Sequence, residues 1–164
     1  ADVSVTICQV MALRSARNAG ISVPKATIDR AIAYVKQCQN PADGGFRYML
    51  GVGASGFART AAGVASLQYA GIYQDKAIDR GLKYMFANSH QGGHYYYGQY
   101  YAAQAMFLAG GDNWRRWFPM IREQLIGRQG HNGAWTGGHG TAYCTSMSLI
   151  TLQVPNRLLP IFQR

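Results

Sequence analysis

The stretch that decides the fold is Leu125-Ile126-Gly127-Arg128-Gln129-Gly130-His131-Asn132-Gly133-Ala134-Trp135-Thr136-Gly137-Gly138, LIGRQGHNGAWTGG, residues 125–138. A helix-like segment ends in a glutamine, a short loop follows, and a glycine stands two residues ahead of a tryptophan. Gln129 to Trp135 reads Q-x3-G-x-W; Gln39 to Phe46 reads Q-x4-G-x-F; Asn88 to His94 reads as a degraded copy, N-x3-G-x-H. At such a place a glutamine can satisfy backbone groups orphaned at a helix end. The glycine permits the turn, and the aromatic ring covers the joint. Gln39, Gly44, Phe46, Gln129, Gly133 and Trp135 are therefore expected to be structural glue between repeats.

Working outward from these joints, the chain repeats itself. Ile28-Asp29-Arg30-Ala31-Ile32-Ala33-Tyr34-Val35 returns as Ile78-Asp79-Arg80-Gly81-Leu82-Lys83-Tyr84-Met85, with apolar residues at i, i+4 and i+7, one stripe of an amphipathic helix. Phe118, Ile121 and Leu125 make a looser third copy. Before each copy lies an apolar segment rich in small residues and closed by glycine: 6–19 before Gly20, 58–70 before Gly71, 100–109 before Gly110. Glycine just past a helix accepts the left-handed backbone that ends it. A fourth such segment spans 141–152, ahead of Pro155. The unit is a helical hairpin of roughly 40 to 50 residues, and the predicted class is all-α. A helix apolar on most faces belongs inside and one with a single stripe belongs outside. Successive hairpins of this kind make a ring within a ring, an α/α toroid, here an incomplete one of three and a half hairpins whose apolar ends need capping.

The 164 residues are 48% hydrophobic and only 14% charged, with 11 Tyr, 6 Phe and 3 Trp. Typical soluble domains are about a quarter charged, so much apolar surface must be covered by a core, a ligand, a neighbour or a membrane face. The net charge is +9, which favours anionic partners such as an anionic membrane surface. The basic residues are scattered, and no nucleic-acid motif accompanies them, so no nucleic-acid partner is expected. Cys8, Cys38 and Cys144 form neither a disulfide framework nor a CxxC pair; they are expected to be small buried fillers. No stretch has the length of a membrane-spanning helix, and the N-terminus carries no signal-peptide pattern.

The joint motifs and hairpin pattern resemble those of the squalene-cyclase and protein-prenyltransferase superfamily, whose repeats end in this glutamine-to-tryptophan signature. The resemblance runs through essentially the whole chain, including GGFRYM and GGHYYYG, and is most like the C-terminal half of bacterial squalene-cyclase-like proteins. It implies that residues 1–164 are a single repeat domain, a fragment of a longer toroid of about six hairpins. A repeat signature specifies a fold and leaves the chemistry to individual residues.

Those residues depart from the family's chemistries. The cyclases protonate an alkene with the middle aspartate of a D-x-D-D-T motif. The matching frame here is Asp2-Val3-Ser4-Val5-Thr6, with Ser4 at the proton donor's place; a serine cannot protonate an alkene. Asp2, Ser4 and Thr6 are vestigial in that frame, and helix N-capping is the expected role of Asp2 and Ser4. The prenyltransferases hold zinc through Asp, Cys and His. Their Asp-x-Cys is missing here. Gly140 stands where their histidine would precede Thr141-Ala142-Tyr143-Cys144, although His139 is adjacent. A metal shared among His90, His94, His131 and His139 would need loops converging at one mouth, so neither metal nor cofactor is expected.

The run His94-Tyr95-Tyr96-Tyr97-Gly98-Gln99-Tyr100-Tyr101 leads into an inner helix. It is either repeat packing or an aromatic wall for a flat apolar ligand. Tyr95, Tyr96, Tyr97, Tyr100 and Tyr101 are the cavity candidates, together with Phe57 and Arg59 at another inner-helix entry. The expected function is a repeat module without the cyclase acid or the zinc ligands, binding an isoprenoid-like apolar ligand or a protein partner, including a second copy or the remainder of a longer chain. The alternative is a squalene-cyclase-like isomerase or isoprenoid-processing enzyme whose catalytic residues lie outside this chain. A polysaccharide-active toroid would need two convergent carboxylates, and the seven acids are sparse.

Overall fold

The protein is described by a computed structural model, in which residues 2–89 and 93–158 are placed. Among the described residues seven α-helices follow one another: α1 Val3–Asn18, α2 Lys25–Gln37, α3 Phe57–Tyr69, α4 Lys76–Ala87, α5 Tyr95–Ala109, α6 Gly111–Arg128 and α7 Thr141–Gln153, followed by a 3-10 turn Val154–Asn156. Among the described residues there is no strand, only two isolated β-bridges, Gln39–Phe46 and Met49–Val52. The fold is all-α. Of the described helices, none is long and apolar enough to cross a membrane.

Local chemistry sets the helix ends. Asp2 caps α1, its Oδ1 accepting from the Val5 N–H at 2.9 Å, and the Thr6 hydroxyl donates to the Asp2 carbonyl at 2.6 Å. Asp75 caps α4 in the same way through the Ala77 N–H at 2.8 Å. At the other end, α1 and α3 stop at left-handed glycines, Gly20 (φ 82°) and Gly71 (φ 97°). The N–H of Ile21 then reaches the Ala16 carbonyl and that of Ile72 the Leu67 carbonyl, each at 2.9 Å. These are Schellman closures, which turn the following apolar residue back onto the helix.

The odd helices pack in chain order, α1 on α3, α3 on α5 and α5 on α7, while α2, α4 and α6 each lie against the odd helix that precedes them. Burial follows from neighbours. Every residue of 60–69 in α3 is buried, as is every residue of 98–106 in α5 except Tyr100. By contrast α1 buries only Val3, Ile7 and Val10, and α7 only Cys144, Ser148 and Thr151. Among the described residues both have one odd neighbour in close contact, and Val5 and Leu149 stay 55% and 47% exposed. The structure corrects the expectation for Cys8. Cys38 and Cys144 are buried, but Cys8 on α1 is exposed, with its sulfur 3.8 Å from the Tyr101 hydroxyl of α5.

The two joints are built alike. Gln39 Nε2 donates to the Gly44 carbonyl and Gln129 Nε2 to the Gly133 carbonyl, both at 2.8 Å. Phe46 and Trp135 are sealed at 0% and 2% exposure. Their backbone N–H groups are held by threonine hydroxyls in the first turns of the next odd helices, Thr60 at 2.8 Å and Thr145 at 3.0 Å. In the third copy, Asn88 donates to the Tyr84 carbonyl at 2.9 Å, while its glycine, Gly92, lies outside the described residues together with His90.

Candidate functional site

A cavity of about 690 Å³ opens where the ends of α1 and α3 meet the start of α2. The second half of α1 supplies Leu13, Arg14 and Arg17; the first turns of α2 supply Lys25, Ile28, Asp29 and Ile32; the end of α3 supplies Tyr69 and Ala70. The two Schellman closures add Ile21 and Ile72, placing one isoleucine from each hairpin on the wall. The volume is in the range of small-ligand pockets, which are mostly apolar with a few placed polar groups.

The polar groups here are mainly cations. Lys25 Nζ is bound by both Asp29 oxygens, at 2.8 and 2.7 Å. Among the described residues, half-buried Arg14 has only neutral acceptors at the long end of hydrogen bonding: Asn18 Oδ1 at 3.3 Å, the Tyr69 carbonyl and the Tyr73 hydroxyl at 3.4 Å. Arg17 makes no ion pair among the described residues. Behind this wall the Tyr69 hydroxyl donates to Gln104 Oε1. Burial drives its pKa well above the ordinary phenol value, and the Arg14 guanidinium opposes that more weakly.

None of the aromatic candidates lines this cavity. Phe57 is buried and stacks on Trp117, ring centroids 5.9 Å apart. Tyr95 lies under the Arg128 guanidinium at 4.2 Å and donates to Gln124. The Tyr96 hydroxyl donates to the Thr136 carbonyl at 3.0 Å, tying α5 to the loop before α7. Tyr97 and Tyr100 both pack edgewise on Tyr101, at 4.8 Å. The Tyr101 hydroxyl lies 3.8 Å from the Cys8 sulfur. The Tyr97 hydroxyl is buried beside Ser4 without a hydrogen bond of ordinary geometry, and burial pushes its pKa up to about 12. Arg59 donates to the Ala54 carbonyl at 3.1 Å. These side chains are committed to helix contacts. Asp2 is likewise committed to its cap, its second carboxylate oxygen accepting from Tyr48 at 3.0 Å.

Among the described residues, no group of three or more His, Cys, Asp or Glu side chains is arranged to hold a metal. Two histidines do meet. His94, at the start of α5, has Nδ1 3.4 Å from Nε2 of His139, just before α7, and the Tyr143 ring stands edgewise to His139. This contact links two helix starts. His131 is exposed on the second joint.

Sequence reasoning missed Arg14, Ile21 and Ile72. The available signal was the Gly-Ile dipeptide that closes both α1 and α3, since the apolar residue after a Schellman glycine is turned back toward the helix it ends. Comparison with protein-family models, with curated proteins and with solved structures gives no match.

Proposed function

We propose that this chain is a sector of an α/α toroid of the squalene-cyclase and prenyltransferase type that acts as a binding module for an isoprenoid-like apolar ligand, without cyclase or thiol-prenylating chemistry. The observation that carries the ligand is the cavity between α1, α2 and α3, walled by isoleucines from two successive hairpins. The succession of odd helices, with α1, α3 and α5 each backed by an even one, supports the toroid reading. Ser4 at the donor's place, with Asp2 engaged as a helix cap, argues against alkene protonation by this chain.

Native mass spectrometry of freshly purified protein, before and after incubation with farnesol, tests the reading. The wild type should carry or take up one apolar molecule, and Ile28→Glu, which sets a charge on the cavity wall, should lose it. A wild-type chain that neither carries nor takes up any such molecule would end the proposal.

A protein-partner reading is favoured by a separate observation. The outward faces of α1 and α7 expose Val5 and Leu149, at positions where a further helix would cover them.

A further inference from the structure

We infer that the ligand of this cavity is an anionic amphiphile, a single apolar chain with a carboxylate-type head seated on Arg14; the inference rests on the ligand-binding reading above. The motivating feature is an imbalance of charge. The cavity wall holds three cations, Arg14, Arg17 and Lys25, and one acid, Asp29. Asp29 places both oxygens on Lys25, which leaves Arg14 and Arg17 without a carboxylate among the described residues.

Arg14 is the informative member. A half-buried guanidinium is normally paired, because removing it from water costs free energy that a counter-charge must offset. Its five N–H donors form a planar fork suited to a carboxylate. Here they meet only neutral oxygens, at 3.3 and 3.4 Å, beyond the usual range for N–H···O bonds. These contacts orient the group and leave its capacity largely unspent. The chain has few acids with which to fill it, 7 against 16 Lys and Arg.

The apolar residues are placed to take the rest of the molecule. Leu13 lies one residue from Arg14 on α1, Ile28 and Ile32 lie one turn apart on α2, and Ile72 comes from the α3 closure. Ile21, also on the wall, is 61% exposed. A head on Arg14 with a tail along Ile28, Ile32 and Ile72 would use both halves of the wall, whereas a neutral chain would leave the guanidinium as it stands.

A matched pair of probes, farnesoic acid and farnesol, isolates the head. Their affinities for the full chain are measured by isothermal titration calorimetry. A charge-assisted fork should make the acid bind roughly 10- to 100-fold tighter than the alcohol. Arg14→Met keeps the apolar stem and should bring the acid down to the alcohol's level, while Arg14→Lys recovers part of the gap. In the unaltered chain, the acid's advantage should also vanish as pH falls through the carboxylic-acid range, about pH 4 to 5; this arm needs no variant. Equal affinity of acid and alcohol at neutral pH would overturn the head-group inference and leave the apolar-ligand reading standing. An advantage that survives in Arg14→Met would overturn the placement on Arg14. Failure of both probes to bind would remove the ligand-binding reading itself.

Discussion

After α2 and after α6 the chain makes the same turn, with a glutamine closing on a left-handed glycine and an aromatic residue sealed beneath. The two joints nonetheless hold different amounts of structure. Gln39 donates a second time, to the Ala77 carbonyl of α4 at 2.8 Å. Gly44 lies so close to α4 that an added Cβ would stand 2.9 Å from the Arg80 Cβ. The Phe46 ring touches both helices of the next hairpin: a Cβ at Gly63 on α3 or Gly81 on α4 would come within 2.6 or 3.5 Å of it. Gln129, by contrast, is exposed and bonds only within its own loop. Trp135 turns its indole N–H back to the Leu125 carbonyl of α6 at 2.7 Å. Both joints close their own loop by local bonds and reach the next odd helix through a threonine; the first adds a bond to the even helix α4.

The largest test of that difference is the buried ring. Phe46→Ala should cost about 3–5 kcal/mol of unfolding free energy and lower amide-exchange protection in both α3 and α4. Trp135→Ala should loosen α6 and α7 and leave α4 protected. Unchanged α4 protection in Phe46→Ala would break the comparison.

The glycines come next. Gly44 (φ 80°) and Gly133 (φ 79°) share a conformation, so alanine at either should cost about 1–2 kcal/mol in backbone strain. Gly44→Ala should cost about 1–3 kcal/mol more through its contact with Arg80. Matching denaturation midpoints for the two variants would count against it. For the glutamines, Gln39→Ala should cost about 1–3 kcal/mol, since it removes two hydrogen bonds, to the Gly44 and Ala77 carbonyls, and Gln129→Ala under about 0.5 kcal/mol. Equal losses in urea melts would show that the second bond contributes nothing.

The smallest effect is electrostatic. Lys36 of α2 pairs with Asp75, the cap of α4. The hydrogen bond from Lys36, then that from the Ala77 N–H, holds the Asp75 carboxyl below its ordinary range. A depressed acid stabilises the fold above its unfolded value, about pH 4, and that contribution is lost as pH falls through the folded value. Both side chains are partly exposed, so the contribution is modest and salt-sensitive. Thermal melts of wild type and Asp75→Asn should converge between pH 5 and pH 2; a constant gap would remove the pair from the ledger of the joint.

Much of the fold was legible because its signals are local. The stripe Ile28, Ile32, Val35 and its copy Ile78, Leu82, Met85 lie within α2 and α4, and Gly20, Gly71 and Gly110 stand at helix ends as the pattern predicted. The starts were less visible. α1 begins at Val3 and α5 at Tyr95, ahead of the expected Thr6 and Tyr100, and Val3 already opens the buried stripe Val3, Ile7, Val10. The tyrosine run showed its chemistry but not its use: Tyr96 ends on a loop carbonyl and Tyr97 and Tyr100 on Tyr101. The cavity could not be read at all. Its walls come from residues as far apart as Leu13 and Ile72, and the missing carboxylate at Arg14 is a fact about three-dimensional neighbours.

By itself the sequence determined which segments are helical, where each one stops, and how the joints close, because these depend on side-chain periodicity and turn chemistry within a few residues. Only the tertiary structure decided that the middles of α3 and α5 are buried while the similarly composed α1 and α7 stay more open, and that Arg14 meets neutral oxygens and no acid among the described residues. Burial and charge pairing are set by what packs alongside, and composition carries no record of the neighbour.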